Sequence, residues 1–276
     1  MTGVQTCALP ICVINQTFNN LEILVIDDCS PNFKEIESVV DGFKDCRITL
    51  IRQKENKGGG AARNVGILLS KGKYIAFLDS DDTWNIEKIK KQLVASEEHL
   101  EEVLCYNKSI VYTDNWTKVK PETGKLDNET ISEYLFVYNN FMPTPSLFLS
   151  TSLAKKCLFD ESLPRHQDYD FLFKIEKQKA KIIFVNEKLT NVIWTNVDKV
   201  INKGWSSDFS EAFFDSYRQY MGERSYANAI FHSVIYASLT NESKKKSLNY
   251  FFNKFSLLRY VKKTLLLKYL VRLVMG

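Results

Sequence analysis

The chain has 276 residues, 45% of them hydrophobic and 25% charged, enough for one large or two small globular domains with no need of a disulfide staple. Its formal charge of +4 is uneven: nine Lys/Arg and no acid lie in residues 244–276, and the other 28 of the 37 basic residues face 33 acidic ones, a net of −5. A mildly acidic body excludes nucleic acid as the expected partner, whereas a basic, apolar tail suits an anionic membrane surface.

Residues 1–11 resemble the translation of a sequencing-library adapter and show no strand or helix pattern, so they are read as a non-native segment, with natural sequence resuming near Cys12. Residues 21–26 form a compact β-branched run that ends in Asp27 and Asp28. A helix is predicted over 33–44, with Ile36, Val39, Val40 and Phe43 on one face. A second strand is expected over 47–53, and Gly58, Gly59 and Gly60 open a helix that runs to about Ser70. Residues 74–78 are a fully apolar strand ending in Asp79-Ser80-Asp81-Asp82, followed by a helix over 85–99. Further on, a strand is expected over 103–112, a polar loop over 115–128, a strand over 144–149, a helix over 168–179 and a strand over 181–185. From about residue 200 the aromatic-rich stretches read as helical. Strands alternating with helices on short connections predict an α/β fold with a mainly parallel sheet, and ligands in such sheets bind at the strands' C-terminal ends, where both acidic clusters lie.

Six cysteines stand far apart with no C-x-x-C pair, which excludes zinc and thioredoxin-type chemistry and favours reduced thiols in the cytoplasm. The sharpest chemical feature is Asp79-Ser80-Asp81: two carboxylates at a strand end suit a hard cation, Mg²⁺ or Mn²⁺. The alternative is that Asp81 or Asp82 caps a helix beginning near Trp84. Ahead of it, Lys57-Gly58-Gly59-Gly60-Ala61-Ala62-Arg63-Asn64-Val65-Gly66 offers open backbone N–H groups at a helix start and a guanidinium fork. It is neither a Walker loop nor G-x-G-x-x-G, and alone it reads equally as a flexible turn with a surface arginine.

Taken together, the blocks at 24–30, 59–66 and 74–82 resemble family 2 glycosyltransferases of the GT-A fold, in order, spacing and strand context. The resemblance runs from about Cys12 to Trp84 and more loosely to Val185. It implies a nucleotide-diphosphate sugar donor, usually UDP-linked, a metal-dependent inverting transfer and a glycan or lipid-linked acceptor in bacterial surface polysaccharide assembly. On this chain it implies that Asp27 or Asp28 contacts the nucleobase, that Gly59 and Arg63 lie at the nucleotide, and that Asp79 and Asp81 hold donor and cation. Asp168, in Arg165-His166-Gln167-Asp168-Tyr169-Asp170, takes the place of the general base, with Gln167 where Glu is usual; it is equally placed to cap a helix beginning near Tyr169. The Q-x-x-R-W signature of processive members is absent around Trp194 and Trp205, which implies one transfer per encounter.

The family's opening strand, ending Pro-x-Tyr-Asn, has no counterpart; residues 12–18 look like the end of the helix that should follow it. Loss of a central strand would open two sheet edges, and poor folding or weak donor binding is expected. The expected organisation is a non-native segment 1–11, a GT-A domain over 12–195 and a helical basic extension over 196–276 in a cytoplasmic protein; the extension either docks peripherally on the inner face of the cell membrane or packs on the catalytic domain, two readings its imperfect amphipathicity leaves equally open. Two rivals remain. Residues 79–83 satisfy the D-x-D-x-T motif of haloacid-dehalogenase-like phosphatases, though two strands precede it, and the chain could be an inactive nucleotide-sugar-binding fragment.

Overall fold

The computed structural model describes residues 8–194 and 206–275, which form two compact units. Residues 8–127 and 141–194 make the first, and residues 128–140 and 206–275 make the second. Residues 1–7, Trp205 and the expected boundary at 195/196 lie outside the described residues.

The first unit begins with helix α1 (Ala8–Ile14), so a helix crosses the point where natural sequence is expected to resume. Strand β1 (Ile23–Asp27), helix α2 (Phe33–Gly42), strand β2 (Ile48–Arg52), helix α3 (Gly59–Leu69) and strand β3 (Tyr74–Ala76) follow where the apolar patterning puts them. The next stretch departs from expectation. Trp84 lies in a two-residue strand, β4 (Thr83–Trp84), and helix α4 (Lys88–Glu97) starts later; Glu87 at its cap position makes no capping bond, and the side chain of Gln16 accepts from Ile89 N at 3.0 Å instead. Strand β5 (Val103–Thr113) is the buried spine, and Leu104, Cys105 and Tyr106 are fully shielded.

The polar loop expected after it contains strand β6 (Thr117–Lys120), which pairs antiparallel with β5 through backbone alone, a bonding that demands no apolar face. The strand expected over 144–149 is instead a 3₁₀ turn (Thr144–Ser146) and a short strand, β7 (Phe148–Ser150), because Pro145 cannot donate to a ladder. Helices α5 (Thr151–Cys157) and α6 (Gln167–Lys177) lead to strand β8 (Lys181–Trp194). That strand is far longer than its apolar start suggests. It runs parallel to β5, with register shifts around Lys108 opposite the exposed Asn186, Glu187 and Lys188, a bulge that interrupts the alternation.

The α/β fold is thus built on mixed strands in two sheets. β1 and β2 pair in parallel, Ile23 opposite Ile48 through Asp27 opposite Arg52. The other sheet runs β3-β7-β5-β8-β4, with β6 also on β5. Only β5–β8 is parallel there. Among the described residues β1 pairs only with β2 and β3 only with β7, so each keeps one open edge.

The second unit is helical, as its aromatic-rich sequence suggests. It contains α7 (Ser207–Ile230), α8 (Ala237–Asn241), α9 (Lys244–Asn253) and α10 (Lys263–Met275), joined by a π turn (Phe231–Tyr236) and a 3₁₀ turn (Phe255–Tyr260). Ser206 and Ser243 cap α7 and α9 by accepting from Phe209 N and Lys246 N at 3.4 and 3.1 Å. Gly222, at φ 74°, kinks α7 in a conformation a side chain would resist. No described helix is long and apolar enough to cross a membrane.

Candidate functional site

The site is assembled in the first unit from four loops that follow β1, β2, β3 and α5. β1 delivers Asp27 and Asp28. Asp27 is buried; its carboxylate accepts from Ser30 N at 3.2 Å and pairs with Arg52 at 3.6 Å. Asp28 reaches across to the glycine-rich segment and accepts from Gln53 Nε2 at 2.8 Å, Lys57 N at 2.8 Å and Gly58 N at 2.6 Å. Its first structural effect is therefore to hold the turn that launches α3. Gly58 sits at φ 85°, where only glycine is unstrained, immediately ahead of the first turn of α3.

Within α3, Arg63 pairs with Asp79 Oδ1 at 2.5 Å, and its guanidinium lies 5.4 Å from the centre of the Phe159 ring. Gly59 lies close against this pair: a Cβ there would stand 3.2 Å from Arg63 Nη1, so the guanidinium would have to shift slightly. Gly60 brings the start of α3 against the start of α6: a Cβ would come within 3.0 Å of the Gln167 side chain. Asn64, buried at 4% exposure, ties α3 to the loop ahead of α6. Its amide donates to Phe159 O and Glu161 Oε1, each at 2.9 Å, and its oxygen accepts from Phe159 N at 2.8 Å.

The acidic run after β3 separates into distinct environments. Asp79 is half-buried against Arg63, Asp81 is exposed, and Asp82 is buried. Asp82 caps no helix; its carboxylate accepts from Ile193 N at 2.9 Å and pins the turn to β8. Burial pushes its carboxyl up to about 7, and the neighbouring charges of Asp79 and Asp81 push the same way. No three His, Cys, Asp or Glu side chains gather as a cation cage among the described residues. Asp79 and Asp81 nevertheless offer two hard oxygen donors one residue apart, which is how Mg²⁺ is held when phosphates and waters complete its shell.

The fourth loop brings in α6. His166 takes the cap position in the left-handed region, φ 63°, with no side-chain capping bond, so Asp168 is a first-turn residue rather than the cap. Burial raises the Asp168 carboxyl above its ordinary range; N–H groups of Tyr169 and of Asp168 itself oppose this, as does the charge of Arg63, and that of Asp79 adds to it. Asp168 thus lies in the electrostatic field of the Arg63–Asp79 pair. His166, stacked on Tyr169 at 5.5 Å, is pushed down to about 4 by burial and by Arg165, and so stays neutral at neutral pH.

Of the residues singled out in the sequence, Gly59, Arg63, Asp79 and Asp168 are brought together at the facing starts of α3 and α6. Asp28 is joined to them through the Gly58 turn, Asp27 stands at the end of β1, and Asp81 stands on the loop after β3. Sequence reading missed Asn64 as the tie to residues 159–161 and Asp82 as the pin to β8. An asparagine inside a helix, where its propensity is poor, is a readable sign of a side chain bonded elsewhere.

Comparison with known proteins bears on this arrangement. The pattern of Glycosyl transferase family 2 matches residues 12–156. The amylovoran biosynthesis glycosyltransferase AmsB of Erwinia amylovora is 29% identical over 221 residues, 77% of this chain and 73% of that one. WfaP of Escherichia coli, a UDP-Glc:alpha-D-GlcNAc-diphosphoundecaprenol beta-1,3-glucosyltransferase, is 41% identical over 80 residues, 29% of this chain and 31% of that one. Among solved structures, S. aureus TarS in complex with UDP-GlcNAc superposes with a TM-score of 0.69 over 96% of this chain and 79% of that one, at 17% identity, a likeness of fold. A phosphatase has no place in this pattern. The family match takes in the Asp28, Arg63 and Asp79 blocks as one ordered run and covers more than half of the chain, which therefore belongs to glycosyl transferase family 2.

Proposed function

We propose that the chain transfers a sugar from a UDP-linked donor to a hydroxyl of a glycan or lipid-linked acceptor, with inversion at the anomeric carbon, in bacterial surface polysaccharide assembly at the inner face of the cell membrane. The observation that carries this reading is the meeting of the Arg63–Asp79 pair and Asp168 at the facing starts of α3 and α6. It is supported by relatives whose names cite amylovoran biosynthesis and a UDP-Glc donor with a diphosphoundecaprenol acceptor.

The unpaired N–H groups of the first turn of α3, with the positive end of its dipole, receive the donor diphosphate, and Arg63 adds a charged fork to it. Asp27 or Asp28 contacts the nucleobase with a lone pair that its chain partners leave over. A divalent cation, Mg²⁺ or Mn²⁺, would be held by Asp79 and Asp81 and would offset charge on the departing diphosphate. Asp168 accepts the acceptor hydroxyl's proton as that oxygen forms its bond to the anomeric carbon and the bond to the diphosphate breaks. Its raised pKa makes it a stronger base than an exposed aspartate once ionised.

Titration of the chain with a panel of nucleotide sugars tests the donor assignment. One uridine-linked sugar should bind with an affinity that Arg63→Ala weakens at least tenfold. Equal binding of wild type and Arg63→Ala to every member of the panel would refute the assignment.

A further inference from the structure

The last described helix, α10, is apolar on two sides. On one side Tyr269 is fully buried, stacked on Phe251 at 5.3 Å with its hydroxyl 2.9 Å from Ser247 Oγ, while Leu265, Leu266 and Leu273 are half-buried. That side is docked within the helical unit. On the other side stand Leu267, Leu270, Val271 and Val274, at the three-four-seven spacing of one helical face, and they are 63%, 43%, 49% and 82% exposed. A helix that only completes a core turns polar residues outward; here large aliphatics occupy the outer face. Phe252 and Phe255, 67% and 63% exposed, add two aromatic rings to the surface of the same unit.

The charge of residues 244–276 is of one sign and mostly unpaired. Of the nine cations in residues 244–276, Lys246 is paired with Asp208 and Glu242, and Lys254 with Glu211. The other seven meet no carboxylate among the described residues; Arg259 and Arg272 donate to the hydroxyls of Tyr260 and Tyr236 instead. On α10 itself, Lys263 opens the helix, and Lys268 and Arg272 run along one flank of the aliphatic stripe. A second copy of this chain would bring the same cations to the contact and be repelled. An interface that is hydrocarbon within and negative at its rim matches both features at once.

We propose that the outer face of α10 docks on an anionic lipid bilayer, with the helix lying in the plane of the surface. Leu267, Leu270, Val271 and Val274 reach the acyl boundary, and Lys263, Lys268 and Arg272 sit at the level of the phosphates. The docking does not depend on the donor-site reading, since it would hold whatever the first unit catalyses.

Flotation of the full chain with vesicles tests it, using phosphatidylcholine alone or phosphatidylcholine mixed with phosphatidylglycerol. The chain should float with the mixed vesicles only, and less so as salt is raised. Lys268→Ala and Arg272→Ala should each lower partitioning roughly fivefold. Leu267→Asp with Val271→Asp should abolish it. All four side chains are exposed, so unchanged far-UV circular dichroism and unchanged nucleotide-sugar binding would show the variants folded. Equal flotation with neutral vesicles, no flotation with either kind, or a dimer in solution that Leu267→Asp dissociates would each overturn the proposal.

Discussion

Lys88 lends itself to a direct test of the first unit's core. Its side chain is wholly shielded; its Nζ donates to Gln92 Oε1 at 2.7 Å and lies 4.3 Å from the Trp84 ring centre, with no carboxylate in contact. Cys12 and Cys105, whose charges would favour the ammonium, are kept as thiols by burial, Cys105 up to about 12. Burial lowers the Lys88 amine to about 7, against roughly 10.4 for an unfolded lysine. The unfolded state therefore holds the proton more tightly, and between these two values stability rises with pH by at most about 1.4 kcal/mol per unit. Below pH 7 both states are protonated and the full penalty applies, on the order of 4 kcal/mol; above the unfolded value it is gone.

Lys88→Met removes the penalty but leaves Gln92 Oε1 without its donor, at a cost of about 1–3 kcal/mol. The variant should thus be more stable than wild type by about 1–3 kcal/mol at pH 6 and less stable at pH 10, so the two profiles cross. Urea denaturation followed by tryptophan fluorescence at several pH values measures this, with the slope of stability against urea unchanged. Parallel profiles for wild type and variant would mean that Lys88 keeps its proton throughout, contrary to its buried, carboxylate-free setting.

Asn64→Ala should cost about 2–3 kcal/mol, since it leaves the Phe159 amide and carbonyl without partners. Chemical denaturation reads the loss, and a neutral result would show that the tie is unnecessary. Gly58→Ala should destabilise the chain by about 1 kcal/mol or more through its left-handed φ, and thermal unfolding measures it. With one open edge each, β1 and β3 should exchange amide hydrogen faster under native conditions than β5, which pairs with β8 over its whole length and with β7 and β6 over parts of its other edge. Uniform protection across these strands would contradict that ordering.

The start of the first unit is legible because β1 and β3 belong to short apolar runs closed by acids. The β1 to β3 stretch is found to within a residue or two on that signal. The failures share a physical cause, which is that pairing through backbone leaves no mark on side-chain polarity. β6 is written Thr117-Lys118-Val119-Lys120, and β8 continues past exposed Asn186, Glu187 and Lys188, so neither shows an uninterrupted apolar pattern. In the site, the carboxylates are evident from their clustering at strand ends, but their division of labour is not. Asp82 looks like a helix cap until β8 places Ile193 beside it, 111 residues along the chain. The approach of Gln167 to Gly60 and of Asn64 to Phe159 is likewise invisible locally, because each pair is about a hundred residues apart.

The central claim is an inverting transfer with Asp168 as base at a donor site built on Arg63 and Asp79. Its most direct test is transfer from the uridine-linked sugar selected by the binding panel, comparing wild type with Asp168→Asn and reading product stereochemistry by NMR. The wild-type product should carry inverted anomeric configuration. In Asp168→Asn, kcat should fall about 10²–10⁴-fold with donor binding preserved. A product of retained configuration, or an Asp168→Asn variant that turns over at the wild-type rate, would contradict that claim.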